Sequence, residues 1–215
     1  KVQMLEVYND KLNDLLHPSQ DKKAHPQVHT HPKIGVYVKG ASEDAVDSFE
    51  TVVRLIEYGN TMKTVAATAM NKQSSRGHTI FKLILEKHGG SENTHITSEA
   101  FFVDLAGREN EKTTGCSGQS LAELSYINKS LFHLTQVIQV LATNPGRGPK
   151  GRVPFRDSKL TLLLSDYLQS ARAFLVATAS PAASGAEETL ATLRLAQAVR
   201  LITTRSRRSA GACAR

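Results

Sequence analysis

Residues 102–109 read "FVDLAGRE", an apolar run that stops at a carboxylate. Phe101, Phe102, Val103 and Leu105 are the side chains of a sheet core, and Asp104 stands where that strand meets solvent. Gly107 and Glu109 follow at once. A carboxylate at a strand's carboxyl end can hold a hard divalent cation, through water where the ion keeps part of its hydration shell. A glycine three residues on presents its N–H to an anion with no side chain in the way. D-x-x-G after a strand is thus the pattern of a phosphate-and-metal sensor, and equally that of an ordinary strand end and turn.

A second stretch bears on that choice. Residues 71–78 read "NKQSSRGH", ahead of the apolar strand "TIFKLILEK" at 79–87. Adjacent hydroxyls at Ser74 and Ser75 can divide two tasks, one on a cation and one on a terminal phosphate or its water. Arg76 offers a planar fork that suits the Glu109 carboxylate. Two such loops on neighbouring strands describe a pair of nucleotide switches.

Around them the chain reads as alternating strands and helices, an α/β fold with a mixed sheet. "VQMLEVY" (2–8) is a strand, "NDKLNDLL" (9–16) a short helix closed by Pro18, and 17–33 a loop with four His and three Pro. "IGVYVKG" is a strand. A helix capped at Ser42 or Asp44 carries Ala45, Phe49, Val52, Val53 and Ile56, and ends at Gly59. "TVAATAM" fits helix or extended chain. "GGSENTH" turns the chain into "ITSEAFFVDL", and 108–120 is a polar loop. Leu121, Leu124, Ile127, Leu131, Leu134, Ile138 and Leu141 recur at three- and four-residue spacing, a helix of about six turns. "DSKLTLLLSDYL" is a helix capped by Asp157 or Ser158. "AFLVATAS" is a strand ended by Pro181, and a last helix opens on Glu187 and Glu188, which favour its dipole.

The chain has 215 residues, 40% of them hydrophobic, which allows one large core. Two cysteines argue against a disulfide framework. No apolar run reaches the ~18 residues of a membrane span. Net charge is +7, concentrated in "GRGPKGRVPFRDSK" (146–159) and after Glu188, where six arginines meet no acid. Such patches point to an anionic partner, although each is also a solvated surface. Aromatic–basic motifs of RNA-binding sheets are lacking, so nucleic acid is not the expected partner. His25, His29 and His31 lie in the Pro-rich loop and read as solvated residues.

Together these stretches resemble the kinesin motor domain. "NKQSSRGH" is similar to the family's first switch, N-x-x-S-S-R-S-H, and "DLAGRE" to its second, D-L-A-G-S-E. "YINKSL" resembles the start of its relay helix, "VPFRDSKLTLLL" its V-P-Y-R-D-S-K-L-T-R-L-L stretch, and "SPAASGAEETLATLRLAQAVRLI" its closing segment. "HPKIGVYVKG" and "GNTMKTVAAT" look most like the cargo-transporting branch. The resemblance implies a three-layer P-loop NTPase-like motor fold with a mixed central sheet flanked by helices, its N-terminal portion missing. It places the C-terminal part of the motor domain at 1–203, the first switch at 71–78, the second at 104–109, the relay helix at about 120–142, and a basic disordered tail at 204–215.

The function so implied is a microtubule-stimulated motor ATPase of the cytoplasm and cytoskeleton, using ATP and Mg²⁺. By the same resemblance Ser75 and Asp104 would hold Mg²⁺, Asp104 through water. Asn71, Ser74 and Gly107 would face the γ-phosphate, and Glu109 would pair with Arg76 and help move a proton from the lytic water. Lys11, Lys112, Asn128, Lys129, Arg156 and Lys159 would meet tubulin. The chain departs from the pattern at Gly77 (Ser in the family), Arg108 (Ser) and Leu162 (a basic residue). No G-x-x-x-x-G-K-[ST] phosphate cradle occurs in it. The sequence therefore reads as part of an active motor whose cradle lies upstream, inactive by itself, or as a non-catalytic microtubule-binding pseudo-motor.

Overall fold

A computed structural model describes residues 1–19, 25–70, 77–88, 95–107, 119–143 and 153–202. Their described parts form two compact units, one of residues 1–29 and 38–107, the other of 30–37 and 108–207.

In the first unit β1 (Val2–Tyr8) lies between β2 (Lys11–Asp14) and β5 (His78–His88), and β6 (His95–Asp104) completes the order β2-β1-β5-β6. Every pairing in this sheet is antiparallel. β1 is buried from Val2 to Val7, so the side chains on both of its faces are covered. The helix expected at 9–16 is instead β2, because Asn9 and Asp10 take φ of 51° and 52°. Those angles make the two-residue turn whose twist suits a hairpin, and asparagine and aspartate tolerate them. Leu5 then faces Asp14 across the ladder.

The 22-residue helix α1 (Phe49–Met70) packs on β1. It starts later than the sequence predicts, with the Ser48 hydroxyl accepting Thr51 N–H at 3.2 Å. Ser42 is engaged elsewhere: its N–H and hydroxyl both donate to Asp14, each at 2.7 Å. The helix also runs through Gly59 and takes in "TVAATAM". A Cβ at Gly59 would overlap the Met4 sulfur, so the glycine is a point of close approach between helix and sheet rather than a stop. Val52, Leu55 and Ile56 of α1 close over Val2, Met4, Leu15, Leu16 and Phe81.

The expectation that Phe101, Phe102 and Val103 fill a core is not met. β6 is the outer strand of the described sheet, and Phe102 is 59% exposed. Residues 27–33, read as loop, include β3 (Gln27–His31), which pairs with β4 (Gly35–Lys39) in a separate two-stranded sheet.

In the second unit α2 (Gln119–Thr143) packs against α3 (Lys159–Ser170) and α4 (Ala186–Arg200). Val137, Leu141 and Val153 form its core with Phe155, Leu168 and Ile202. Ser158 caps α3 as expected. Its hydroxyl accepts Thr161 N–H at 3.1 Å, and Thr161 Oγ1 donates to the Phe155 carbonyl at 2.8 Å. The Asp166 carboxylate of α3 accepts Val36 N–H at 2.8 Å, beside Gly35 at φ 80°. Residues 173–180, expected as a strand, pair with no strand among the described residues; Phe174 is 86% and Val176 87% exposed. An extended segment becomes a strand only beside a ladder partner.

Gly59→Ala tests the close approach. Alanine raises helix propensity by about 1 kcal/mol, whereas overpacking a filled site costs about 1–3 kcal/mol. Urea unfolding should show a net loss of about 1 kcal/mol; a gain would show that α1 does not lie against Met4.

Candidate functional site

The two sequence motifs converge because β5 and β6 are adjacent and antiparallel. β5 starts at His78, the last residue of the first motif, and β6 ends at Asp104, the first residue of the second. The register pairs Thr79 with Asp104 and Ile80 with Val103. The Asp104 carboxylate and Gly107 are both exposed at this end of the sheet. Asn71, Ser74, Ser75, Arg76, Glu109 and Lys112 lie outside the described residues, as does the tail 204–215.

A buried polar group backs the junction. His78 is 2% exposed, and its Nδ1 accepts the N–H of Ala106 at 3.0 Å. Lys63, from α1, donates to Thr79 Oγ1 at 2.7 Å. Glu6 of β1 is buried and accepts from Asn13 Nδ2 at 3.1 Å. A Cβ at Gly77 would overlap the Glu6 carboxylate. The Gly77 departure thus has a physical counterpart: in this arrangement Glu6 fills the space that a larger residue needs. From the sequence His78 reads as a structural residue or a phosphate neighbour, and Lys63 and Glu6 carry no expected role. Lys63 sits in "GNTMKT", which approaches the phosphate-cradle pattern but lacks its Gly-Lys-Ser/Thr ending.

Among the expected track-facing residues, Lys11 is exposed on β2 in the first unit. In the second, Lys129 is exposed on α2, Arg156 is exposed in the 3₁₀ turn Phe155–Asp157, and Lys159 is half-buried at the start of α3. That turn and α3 both pack on α2, which brings Lys129, Arg156 and Lys159 onto one assembly of helices. Asn128 is on α2, with its side chain outside the described residues.

Burial, and secondarily the Lys63 charge, hold the His78 pKa down to about 4, against an opposing pull from Asp104. His78 is therefore neutral when folded, whereas an unfolded chain protonates it below its ordinary value of 6.5. The unfolded state then binds more protons, so stability is full above 6.5 and falls as pH drops toward 4. The maximal loss is about 3 kcal/mol. Burial raises the Glu6 pKa, which works in the opposite direction and offsets part of it. Urea midpoints measured across this window should fall with pH, and the slope should flatten in His78→Asn.

The chain matches the family described as Kinesin motor domain over residues 1–202. Mouse kinesin-like protein KIF13A is 43% identical over 209 residues, covering 94% of this chain and 12% of KIF13A. The Xenopus laevis chromosome-associated kinesin KIF4 is 42% identical over 204 residues, covering 94% of this chain and 16% of KIF4. The chain thus spans a small part of the length of these relatives. A KIF14 dimer solved with AMP-PNP in complex with a microtubule superposes with TM-score 0.83 at 39% identity, over 96% of this chain and 59% of that one. A fast kinesin gives TM-score 0.84 at 38% identity, over 96% and 56%. The α/β fold expected from the sequence is the fold of these motor domains, and the chain belongs to the kinesin motor domain family.

Proposed function

We propose that this chain is the switch-bearing and track-binding portion of a microtubule motor ATPase. The observation that carries the reading is the Thr79–Asp104 register, which sets the end of one switch motif beside the start of the other. The KIF14 neighbour, solved with an ATP analogue on a microtubule, supports it.

The donor set suits Mg²⁺ and a triphosphate. Asp104 is a hard oxygen donor at an exposed strand end, and Ser75 would add a hydroxyl from the facing motif. When bound, Mg²⁺ supplies charge neutralisation on the phosphate oxygens. The chain's own groups would do the rest. Ser74 and Asn71 would orient the γ-phosphate and the attacking water. The exposed Gly107 amide would register the phosphate's presence. Glu109, paired with Arg76, would close the site and accept a proton from that water. The domain reading follows: motor domain to about residue 203, switches at 71–78 and 104–109, and α2 as the relay.

A switch does mechanical work only through an element that both sites bias. In this reading α2 is that element, since its N-terminal end follows the second switch and it carries Lys129. The exposed cations Lys129, Arg156 and Lys11, with Lys159, would face the acidic surface of tubulin, joined by Asn128 and Lys112. Such a protein works in the cytoplasm on the cytoskeleton. Its cargo and direction of travel are separate properties of the whole protein.

Co-sedimentation of the protein that carries this chain, with and without a non-hydrolysable ATP analogue, tests the reading. Microtubule affinity should change with nucleotide, and Asp104→Asn should lower the stimulated ATPase rate about 100-fold. Pelleting that is indifferent to nucleotide, with no hydrolysis, would establish the non-catalytic pseudo-motor instead.

A further inference from the structure

We infer that His78 is a positioning residue that pins the second switch motif at Ala106, so that the backbone from Asp104 to Ala106 stays with the sheet and Gly107 lies just outside the pin. The inference rests on the switch reading above and deepens it.

The β5–β6 ladder stops at Thr79–Asp104. Beyond it, no opposing strand among the described residues offers carbonyls to the N–H groups of Leu105, Ala106 and Gly107, and a buried amide N–H without an acceptor is costly. Ala106 is 7% exposed, so its N–H needs such a partner. His78 supplies it. The imidazole of the first β5 residue reaches past the end of the ladder and accepts Ala106 N–H at 3.0 Å. In effect a side chain extends the sheet by one bond.

Three features make this a fixed anchor. His78 is 2% exposed, so its ring has little freedom. The next residue, Thr79, is tied to α1 through Lys63 Nζ at 2.7 Å. Gly77, on the other side, is closed in by Glu6. An acceptor Nδ1 requires the neutral Nε2–H tautomer. Holding the Ala106 N–H fixes the Leu105–Ala106 peptide plane, and with it the backbone between Asp104 and Gly107. Gly107 lies one residue outside the pin and is exposed. Its amide can swing while the Asp104 carboxylate keeps its place.

Two substitutions separate the bond from mere packing. His78→Asn keeps an acceptor oxygen near the Nδ1 position, and His78→Leu removes it at similar bulk. In His78→Leu, amide hydrogen exchange at Ala106 should quicken about tenfold, as expected for one lost hydrogen bond, while Ile80 and Val103 in the ladder keep their protection. His78→Asn should restore slow exchange. The stimulated ATPase kcat should fall about tenfold in His78→Leu with little change in KM for ATP, and recover in His78→Asn. Unchanged Ala106 exchange in His78→Leu overturns the pin, as does faster exchange with an unaltered kcat. Should the unsubstituted protein hydrolyse no ATP, the functional reading fails, and the exchange result alone decides the pin. Should His78→Leu not fold, the ¹⁵N shifts of His78 in the unsubstituted chain decide it. The Nε2–H tautomer supports the pin, and the Nδ1–H tautomer or the imidazolium overturns it.

Discussion

The antiparallel ladder between β5 and β6 is the constraint on which the site depends. Pairing runs from His88–His95 to Thr79–Asp104, ten residues without a break. Because register in a sheet advances by whole residues, the ladder sets the place of Asp104 relative to His78 along the strand direction. A slip of one residue would turn every side chain of β6 to the other face. Lys82 and Glu99, joined at 2.6 Å, and the Lys82 ammonium 5.5 Å from the Phe101 ring centroid, favour the observed register from the side-chain level.

Around the start of β5 the protein buries or half-buries polar groups that hydrophobic packing alone would not place there. Glu6, Asn13, Lys63, His78 and Thr79 come from β1, β2, α1 and β5; Asn13 donates to Glu6, Lys63 donates to Thr79, and His78 accepts the Ala106 N–H. Burying such groups is unfavourable unless each finds a partner. When they do, they specify one arrangement of helix and sheet against many that a purely apolar contact would accept. Raising the Glu6 pKa and lowering that of His78 are two signs of the same burial, each disfavouring charge.

The second unit holds one turn rigid through its own side chains. Ser158 and Thr161 are buried and bond reciprocally, and Thr161 also reaches the Phe155 carbonyl. With the polar atoms of that turn satisfied inside, Arg156 projects from a fixed backbone. A cation held so loses less entropy when an anionic surface meets it.

Periodicity and local chemistry, which the sequence carries by itself, determined much of this protein. They marked α2, α3 and α4, the Ser158 cap, the strands β1, β4, β5 and β6, and the motif pair whose resemblance pointed to the family. These features rest on contacts within a few residues, so short windows contain them. Tertiary structure decided what depends on distant partners. Asn9 and Asp10 turned a presumed helix into a hairpin because β1 offered a ladder to β2. Gly59 did not end α1 because Met4 needed the space beside it. Phe102, on the outer described strand, stayed exposed, and residues 173–180 formed no strand for want of a neighbour among the described residues. The bond from His78 to Ala106 spans 28 residues of chain. No local pattern encodes it, since it exists only once two strands lie side by side.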